Sequence, residues 1–137
     1  MCGITGFWNR ARSSSQAELE QLTGTMTTAI QHRGPDDSGV WADERDGIAL
    51  GFRRLAILDL SPLGHQPMHS ASGRFVIVFN GEVYNFAEMR AELEGRGVSF
   101  RGTSDTEVML AAIEAWGLEA GIRRFNGMFA LALWDQV

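Results

Sequence analysis

The sequence predicts an α+β fold in which packed β-sheets are covered by helices. Segments typical of strands and of helices follow one another without strict alternation, which argues against a doubly wound parallel sheet. An apolar run that begins at Phe75 is nearly continuous, as expected for a strand covered on both faces. Three segments with helical spacing provide the covering elements.

The N-terminal part of the chain predicts one strand and one helix. Segment 3–9, GITGFWN, is typical of a short buried strand. Ser15 and Glu18 have the spacing of a capping box, in which each side chain bonds the other residue's backbone N–H, so we expect a helix to begin there. Apolar residues at intervals of three or four predict its buried face, namely Leu19, Leu22, Met26 and Ile30.

The middle of the chain predicts three strands joined by loops. Gly-Pro-Asp indicates a loop over 32–39. Residues 40–43 and 47–60 have the composition of strands on either side of a polar turn. A second loop is predicted over 61–73, and the apolar strand lies within 74–84.

The C-terminal part predicts two helical regions and a last strand. Asn85 is a candidate N-cap for a helix over 85–97. A short strand is predicted at 98–102, before a helical region over 104–125. Residues 126–137 then have the pattern of a final strand.

The composition indicates one globular domain and excludes several classes of partner. The chain has 137 residues and a formal net charge of −5, which argues against nucleic acid and anionic membranes. No apolar stretch reaches the roughly 18 residues of a membrane-spanning helix, and no signal peptide is evident, so we expect a cytoplasmic protein. A single cysteine excludes an intrachain disulfide. His32, His65 and His69 lie in predicted loops, and His65 and His69 could bind a metal but have no third ligand, so we predict no metal.

The single cysteine, Cys2, directly follows the initiator methionine. If Met1 is removed, Cys2 carries a thiol and a free α-amine, and the neutral amine can accept the thiol's proton without a histidine. The other interpretation is a small buried hydrophobic residue at the start of the first strand. Cys2 alone does not distinguish the two.

Three other segments also admit a structural and a chemical interpretation. An arginine of 53–54 either ends a solvated strand or binds a carboxylate in a bidentate pair. Asn80 and Gly81 form either a simple turn or two donors for an oxyanion. Asp105 either favours the positive end of a helix or binds a ligand's ammonium group. Together these groups match what hydrolysis of an amino-acid side-chain amide requires.

An ordered set of six motifs resembles the glutaminase domain of class II glutamine amidotransferases over nearly the whole chain. The motifs are MCGITGF, HRGPDDSG, RRLAILD, GHQPM, FNGEVYN and SDTE. Within that class, four of them are most similar to asparagine synthetase and its relatives in sugar and polysaccharide modification. The resemblance implies an N-terminal-nucleophile hydrolase with a four-layer αββα sandwich of two mostly antiparallel sheets. It leaves open whether the second sheet is complete at the C-terminus.

The resemblance also implies a role for each matching residue. Cys2 is the nucleophile with its own α-amine as base, and Asn80 and Gly81 form the oxyanion hole. Arg54 holds the glutamine α-carboxylate, and Arg33 supports the nucleophile. The remaining substrate-binding residues are Leu55, Ile57 and Leu58, whose backbone lines one wall, and Glu82 and Asp105, which bind the α-ammonium.

The function implied by the resemblance is hydrolysis of glutamine to glutamate and ammonia through a Cys2 thioester, once Met1 has left. We expect residues 1–137 to be a truncated glutaminase domain whose C-terminal synthetase domain is absent from this chain. Glutamine and that domain are the expected partners, with ATP and Mg used only in the synthetase domain and no cofactor in this one. A homodimer is left open. The alternatives are a catalytically silent binding or regulatory module, and an amidase of the same class with a different substrate.

Overall fold

The computed structural model describes residues 1–57 and 59–137. In chain order the elements are β1 (Gly3–Trp8), α1 (Gln16–Ala29), β2 (Asp37–Asp43), β3 (Ile48–Arg54), β4 (Met68–His69), β5 (Phe75–Val83), α2 (Phe86–Gly95), α3 (Asp105–Trp116), α4 (Leu118–Arg123) and β6 (Gly127–Asp135). The longest helix, α1, has 14 residues, and within the described ranges no helix combines the length and the apolar character that crossing a membrane requires.

The strands form two antiparallel sheets of three strands each. The first sheet has the order β1-β3-β2, and the second has the order β4-β5-β6. In the first sheet Gly3 pairs with Arg53 and Asp37 pairs with Arg54, so β3 lies at the centre. In the second sheet β5 lies at the centre and pairs with β6 along its whole length.

The two sheets pack face to face through alternate residues of their central strands. Leu50 and Phe52 of β3 contact Val76 and Val78 of β5 in one buried cluster. Because successive side chains of a strand point to opposite faces, the intervening residues face the helices. The sheets therefore form the two inner layers of the molecule.

Helices cover the outer face of each sheet. On the first sheet, Leu19 of α1 is fully buried against Ala42 and Ala49. On the second sheet, α2 and α3 pack against Ile77 and Phe79 in the largest apolar cluster of the described residues. The order helix, sheet, sheet, helix confirms the predicted α+β sandwich of four layers.

Helix α1 buries only part of the predicted face: Leu19 is fully buried, whereas Met26 and Ile30 are half-buried. Its capping box at Ser15 and Glu18 is present, but Leu22 is 51% exposed. Thr23 and Thr27 are buried instead, and each hydroxyl donates to the carbonyl four residues earlier, at 2.7 Å. Both threonines lie over Gly51 of β3, where a side chain would collide with them. The small glycine and the satisfied hydroxyls let this polar face approach the sheet, so apolar spacing alone was misleading.

Two strand boundaries and one predicted loop also differ from the prediction. The strand expected over 47–60 ends at Arg54, because the chain then turns away from the sheet to form a wall of the cavity described below. The loop expected over 32–39 already contains the start of β2 at Asp37. The loop expected over 61–73 contains the two-residue strand β4.

The segment 98–102 is not a strand, although a strand was predicted there. Its backbone bonds to the end of α2 and to side chains instead of to a neighbouring strand, and the Val98 N–H donates to the Leu93 carbonyl at 3.0 Å. Glu107 accepts from the N–H groups of Arg101 and Gly102, both at 2.8 Å, and Arg90 donates to the Gly102 carbonyl at 2.8 Å.

Asn85 precedes α2 as predicted but does not cap it with its side chain. The side-chain amide donates to the Arg124 carbonyl and accepts from the Asn126 N–H, both at 2.9 Å. It therefore ties the start of β6 to the start of α2.

We expect the core between α3 and the second sheet to dominate stability. Leu110 is 2% exposed in that core, so Leu110→Ala should lower the free energy of unfolding by about 3 kcal/mol in denaturant titrations. Leu22→Ala makes the same chemical change on the exposed face of α1 and should lower it by less than about 1 kcal/mol. Equal losses in the two variants would contradict this assignment of the core.

Candidate active site

Cys2 lies at one end of the core between the two sheets. Gly3 pairs with Arg53, so Cys2 comes next to Arg54 at the end of the same ladder. The thiol is half-buried and packs against the inter-sheet cluster. Its Sγ accepts from the Leu55 N–H at 3.4 Å and donates to the Leu55 carbonyl at 3.5 Å. The strand pairing thus holds the thiol against the backbone that leaves β3.

Arg54 is the last residue of β3 and is only 8% exposed. Nη1 donates to the Ser61 carbonyl at 2.8 Å, and Nη2 donates to the Asp59 carbonyl. The guanidinium lies over Gly64, where a Cβ atom would collide with Nη2. A guanidinium carries more N–H donors than these two bonds use, so Arg54 retains donors for a ligand carboxylate.

Asn80 and Gly81 lie near the end of β5, on the strand that faces Cys2 across the sandwich. Asn80 follows Val76 and Val78 at intervals of two and therefore continues their inter-sheet face. Gly81 has a φ of 151°, and a Cβ atom there would collide with the backbone of Met128 on β6. Only glycine suits this position, because L side chains rarely adopt that backbone conformation.

Glu82 and Asp105 place two carboxyl groups at the same cavity. Asp105 is 5% exposed, and its carboxylate accepts from the Val83 N–H at 3.1 Å. Burial raises the pKa of Asp105 above its ordinary value, although hydrogen bonds partly oppose that shift. Burial also raises the pKa of Glu82, and the nearby charge of Asp105 adds to the effect. A cation bound beside both carboxylates would favour their ionised forms and so lower both pKa values.

One cavity of about 220 Å³ brings these groups together. Of the residues predicted for the site, those that line it are Cys2, Arg54, Leu55, Ile57, Asn80, Gly81, Glu82 and Asp105. Leu58 lies outside the described residues. Arg33 does not line the cavity, but its Nη2 donates to the Cys2 carbonyl at 3.5 Å. Within the described ranges, no three His, Cys, Asp or Glu side chains are grouped as a metal site.

Several lining residues were not predicted, although the motifs contain them. Gln66 belongs to GHQPM and is 5% exposed. Its Oε1 accepts from the Phe79 N–H at 2.6 Å, and its Nε2 donates to Thr106 at 3.3 Å, so it connects β5 to α3. Asp59 ends RRLAILD and also lines the cavity. The motifs indicated that these residues matter, but only the fold reveals what each one contacts.

Comparisons with known proteins identify the family of this chain. The sequence model of the family described as "Glutamine amidotransferase domain" matches residues 1–137. Asparagine synthetase [glutamine-hydrolyzing] 1 of Bacillus subtilis (strain 168) is 42% identical over 99% of this chain and 21% of its own length. A putative asparagine synthetase [glutamine-hydrolyzing] of Mycobacterium tuberculosis (strain ATCC 25618 / H37Rv) is 38% identical over 100% of this chain and 22% of its own length.

A solved structure supports the fold independently. Glutamine phosphoribosylpyrophosphate amidotransferase from B. subtilis, complexed with ADP and GMP, superposes with a TM-score of 0.74 at 21% identity. The match covers 98% of this chain and 34% of that one. The chain spans about a fifth of the length of the two asparagine synthetases named above. From its six motifs, its cavity and its match along all 137 residues, the chain belongs to the class II glutamine amidotransferase domains of the asparagine synthetase family.

Proposed function

We propose that this chain hydrolyses glutamine to glutamate and ammonia through a thioester of Cys2. The observation that carries the proposal is the single cavity that collects a thiol, a guanidinium, two carboxyl groups and an Asn-Gly pair. These groups complement glutamine along its whole length, because its α-carbon carries a carboxylate and an ammonium group and its side chain ends in an amide. The same set gives no support to a silent binding module, because such a module would need neither the thiol nor the oxyanion donors.

Glutamine would be held by its α-carbon substituents. Arg54 would bind the α-carboxylate with its remaining N–H donors, in a charge-assisted hydrogen bond. Glu82 and Asp105 would bind the α-ammonium, whose positive charge favours the ionised form of both acids. These contacts would direct the side-chain amide toward Cys2.

Cys2 would then attack the amide carbon. After removal of Met1, the α-amine of Cys2 accepts the thiol proton, and the sulfur forms a bond to the carbonyl carbon. The oxyanion is stabilised by the Asn80 side-chain amide and the Gly81 N–H. Return of the proton to the leaving nitrogen expels ammonia and leaves a thioester, which water hydrolyses to glutamate and the free thiol. Met1 is 71% exposed at the rim of the cavity, where its removal would open the site.

In the full-length protein, we propose that the ammonia passes to an ATP-activated acceptor in a C-terminal synthetase domain. The much greater length of the matched asparagine synthetases supports this proposal. ATP and Mg²⁺ would be used in that domain, and the glutaminase reaction would need no cofactor. We further propose a cytoplasmic location, in keeping with a reduced thiol as the nucleophile.

The nucleophile is tested by Cys2→Ala in the full-length protein. Glutamate release should fall to background, because alanine has no thiol to form the thioester. Mass spectrometry should show Met1 absent from the wild type and from the variant, since both carry a small residue at position 2. Equal glutamate release from the two processed proteins would contradict the assignment.

The oxyanion hole is tested by Asn80→Ala. Loss of one donor that acts on the developing oxyanion should lower kcat on the order of 100-fold. KM should change little, because this donor binds the transition state more strongly than the substrate. Asn9→Ala is a matched control, since Asn9 bonds to Ser13 and Ser14 in a surface turn. An unchanged kcat for Asn80→Ala would remove Asn80 from the oxyanion hole.

We expect Asp105→Asn to weaken glutamine binding and to increase stability at neutral pH. KM for glutamine should rise on the order of 100-fold, as expected when one partner of a buried charge pair is removed. Because the pKa of Asp105 is raised in the folded protein, folding favours the protonated side chain. Its contribution to the free energy of unfolding is therefore complete below the ordinary carboxyl pKa and is lost as the pH rises through the raised pKa. The neutral variant should therefore be more stable than the wild type at neutral pH, and this difference should shrink toward about pH 4.

Thermal unfolding across this pH range, together with glutamine kinetics, tests both effects. Asp46→Asn is the matched control, because Asp46 pairs with Arg12 in a surface turn and should affect neither property. A less stable Asp105→Asn with unchanged KM would show that Asp105 has a structural role only.

A further inference from the structure

Asp59 lines the cavity and is buried. The residue is 7% exposed. Its Oδ1 accepts from the backbone N–H and the hydroxyl of Ser61, at 2.8 and 2.5 Å. Its Oδ2 accepts from the Thr103 N–H at 2.9 Å, across 44 residues of sequence. One side chain therefore joins the turn that follows β3 to the segment that precedes α3.

On the first side, the turn from Asp59 to Ser61 holds Arg54. The carbonyls of Asp59 and Ser61 are the two acceptors of the Arg54 guanidinium. An aspartate that bonds the N–H two residues on defines the geometry of a turn. The Asp59 side chain thus fixes the direction in which these carbonyls, and with them Arg54, are presented.

On the second side, Asp59 holds the approach to Asp105. Thr103 is followed by Ser104, which caps α3, and by Asp105, the first residue of that helix. Glu107 and Arg90 also hold the segment 101–103, but both belong to helices on the α3 side. Only Asp59, among the side chains that bond this segment in the described ranges, comes from the β3 side.

The Asp59 carboxylate keeps its charge, and with it its bonds to Ser61 and Thr103, at neutral pH. Hydrogen bonds from Ser61 and Thr103 lower its pKa to about 2, so the carboxylate stays ionised throughout the neutral range. Its bonds are charge-assisted and are therefore stronger than those of a neutral amide.

We propose that Asp59 is a positioning residue that fixes the spacing between Arg54 and Asp105 and so selects ligands that carry both an α-carboxylate and an α-ammonium. The inference rests on the proposed glutamine hydrolysis. Asp59 would touch no reacting atom. Its effect would be that a ligand engages both groups at once without having to reorganise either.

The test is Asp59→Asn in the full-length protein. Asparagine has nearly the same shape, but its NH₂ group would face an N–H donor on one of the two sides. KM for glutamine should rise about tenfold, as expected when one charge-assisted hydrogen bond is lost, while kcat stays within about twofold. Asp46→Asn, the same change on a surface turn, should leave both constants unchanged.

Two competitive inhibitors separate positioning from general stability. 4-Carbamoylbutanoate lacks the α-ammonium of glutamine, and 4-aminobutanamide lacks its α-carboxylate. Each engages one side of the cavity only, so its Ki should rise less than about threefold in Asp59→Asn. A merely structural role would lower the active fraction, and with it kcat, and would leave KM and both Ki values unchanged.

The outcomes are distinct. If the wild type releases no glutamate, the proposed function fails. If the wild type is active and Asp59→Asn leaves KM unchanged, or raises KM and both Ki values equally, the positioning role is overturned. If Asp59→Asn does not fold, Ser61→Ala carries the test, because it removes one donor to the same carboxylate. A rise in KM of about threefold with unchanged kcat would then support the proposal, and an unchanged KM would overturn it.

Discussion

The antiparallel pairing of β1 with β3 is the constraint on which the candidate site depends. This pairing by itself places Cys2 next to Arg54 at the end of the ladder. The second sheet then packs face to face on the first, and the alternation of β5 brings Asn80 to the same end of the core. The cavity is therefore the continuation of the inter-sheet core beyond its last apolar residues.

Two aspartates show how the fold assigns different tasks to the same side chain. Asp59 accepts three hydrogen bonds and has a low pKa, so its charge is already compensated by the protein. Asp105 is buried with less compensation and has a raised pKa. The first arrangement is typical of a residue that supports structure. The second leaves an incompletely satisfied charge, as expected where a ligand supplies the missing partner.

Residues that act through local motifs could be predicted from the sequence, whereas those that depend on packing could not. Cys2, Arg54 and Asn80 stand in short motifs whose order along the chain indicated a common site, and all three line the cavity. The buried face of α1 depends on Gly51, which lies on another element and permits a threonine face to approach. The bond between Asp59 and Thr103 likewise spans 44 residues, and no local pattern encodes it.

The prediction of a strand at 98–102 failed for a related reason. Its residues have strand composition, but its backbone groups bond to Leu93, Glu107 and Arg90 and not to a neighbouring strand. The end of β3 at Arg54 was missed because apolar residues continue into the cavity wall, where they serve the site and not the sheet. Both errors occur beside the candidate site, where local pattern and tertiary role diverge.

The two faces of β3 carry side chains of different size, and this difference disfavours a shift in strand register. A register slip of one residue would turn Leu50 and Phe52 toward α1 and place Ala49 and Gly51 between the sheets. The large side chains would then collide with the closely packed threonine face, and the sandwich would lose its filling on the other side. Such a slipped state is penalised twice, by overcrowding and by an internal void. A folded chain in which Cys2 is displaced from Arg54 along the sheet is therefore strongly disfavoured.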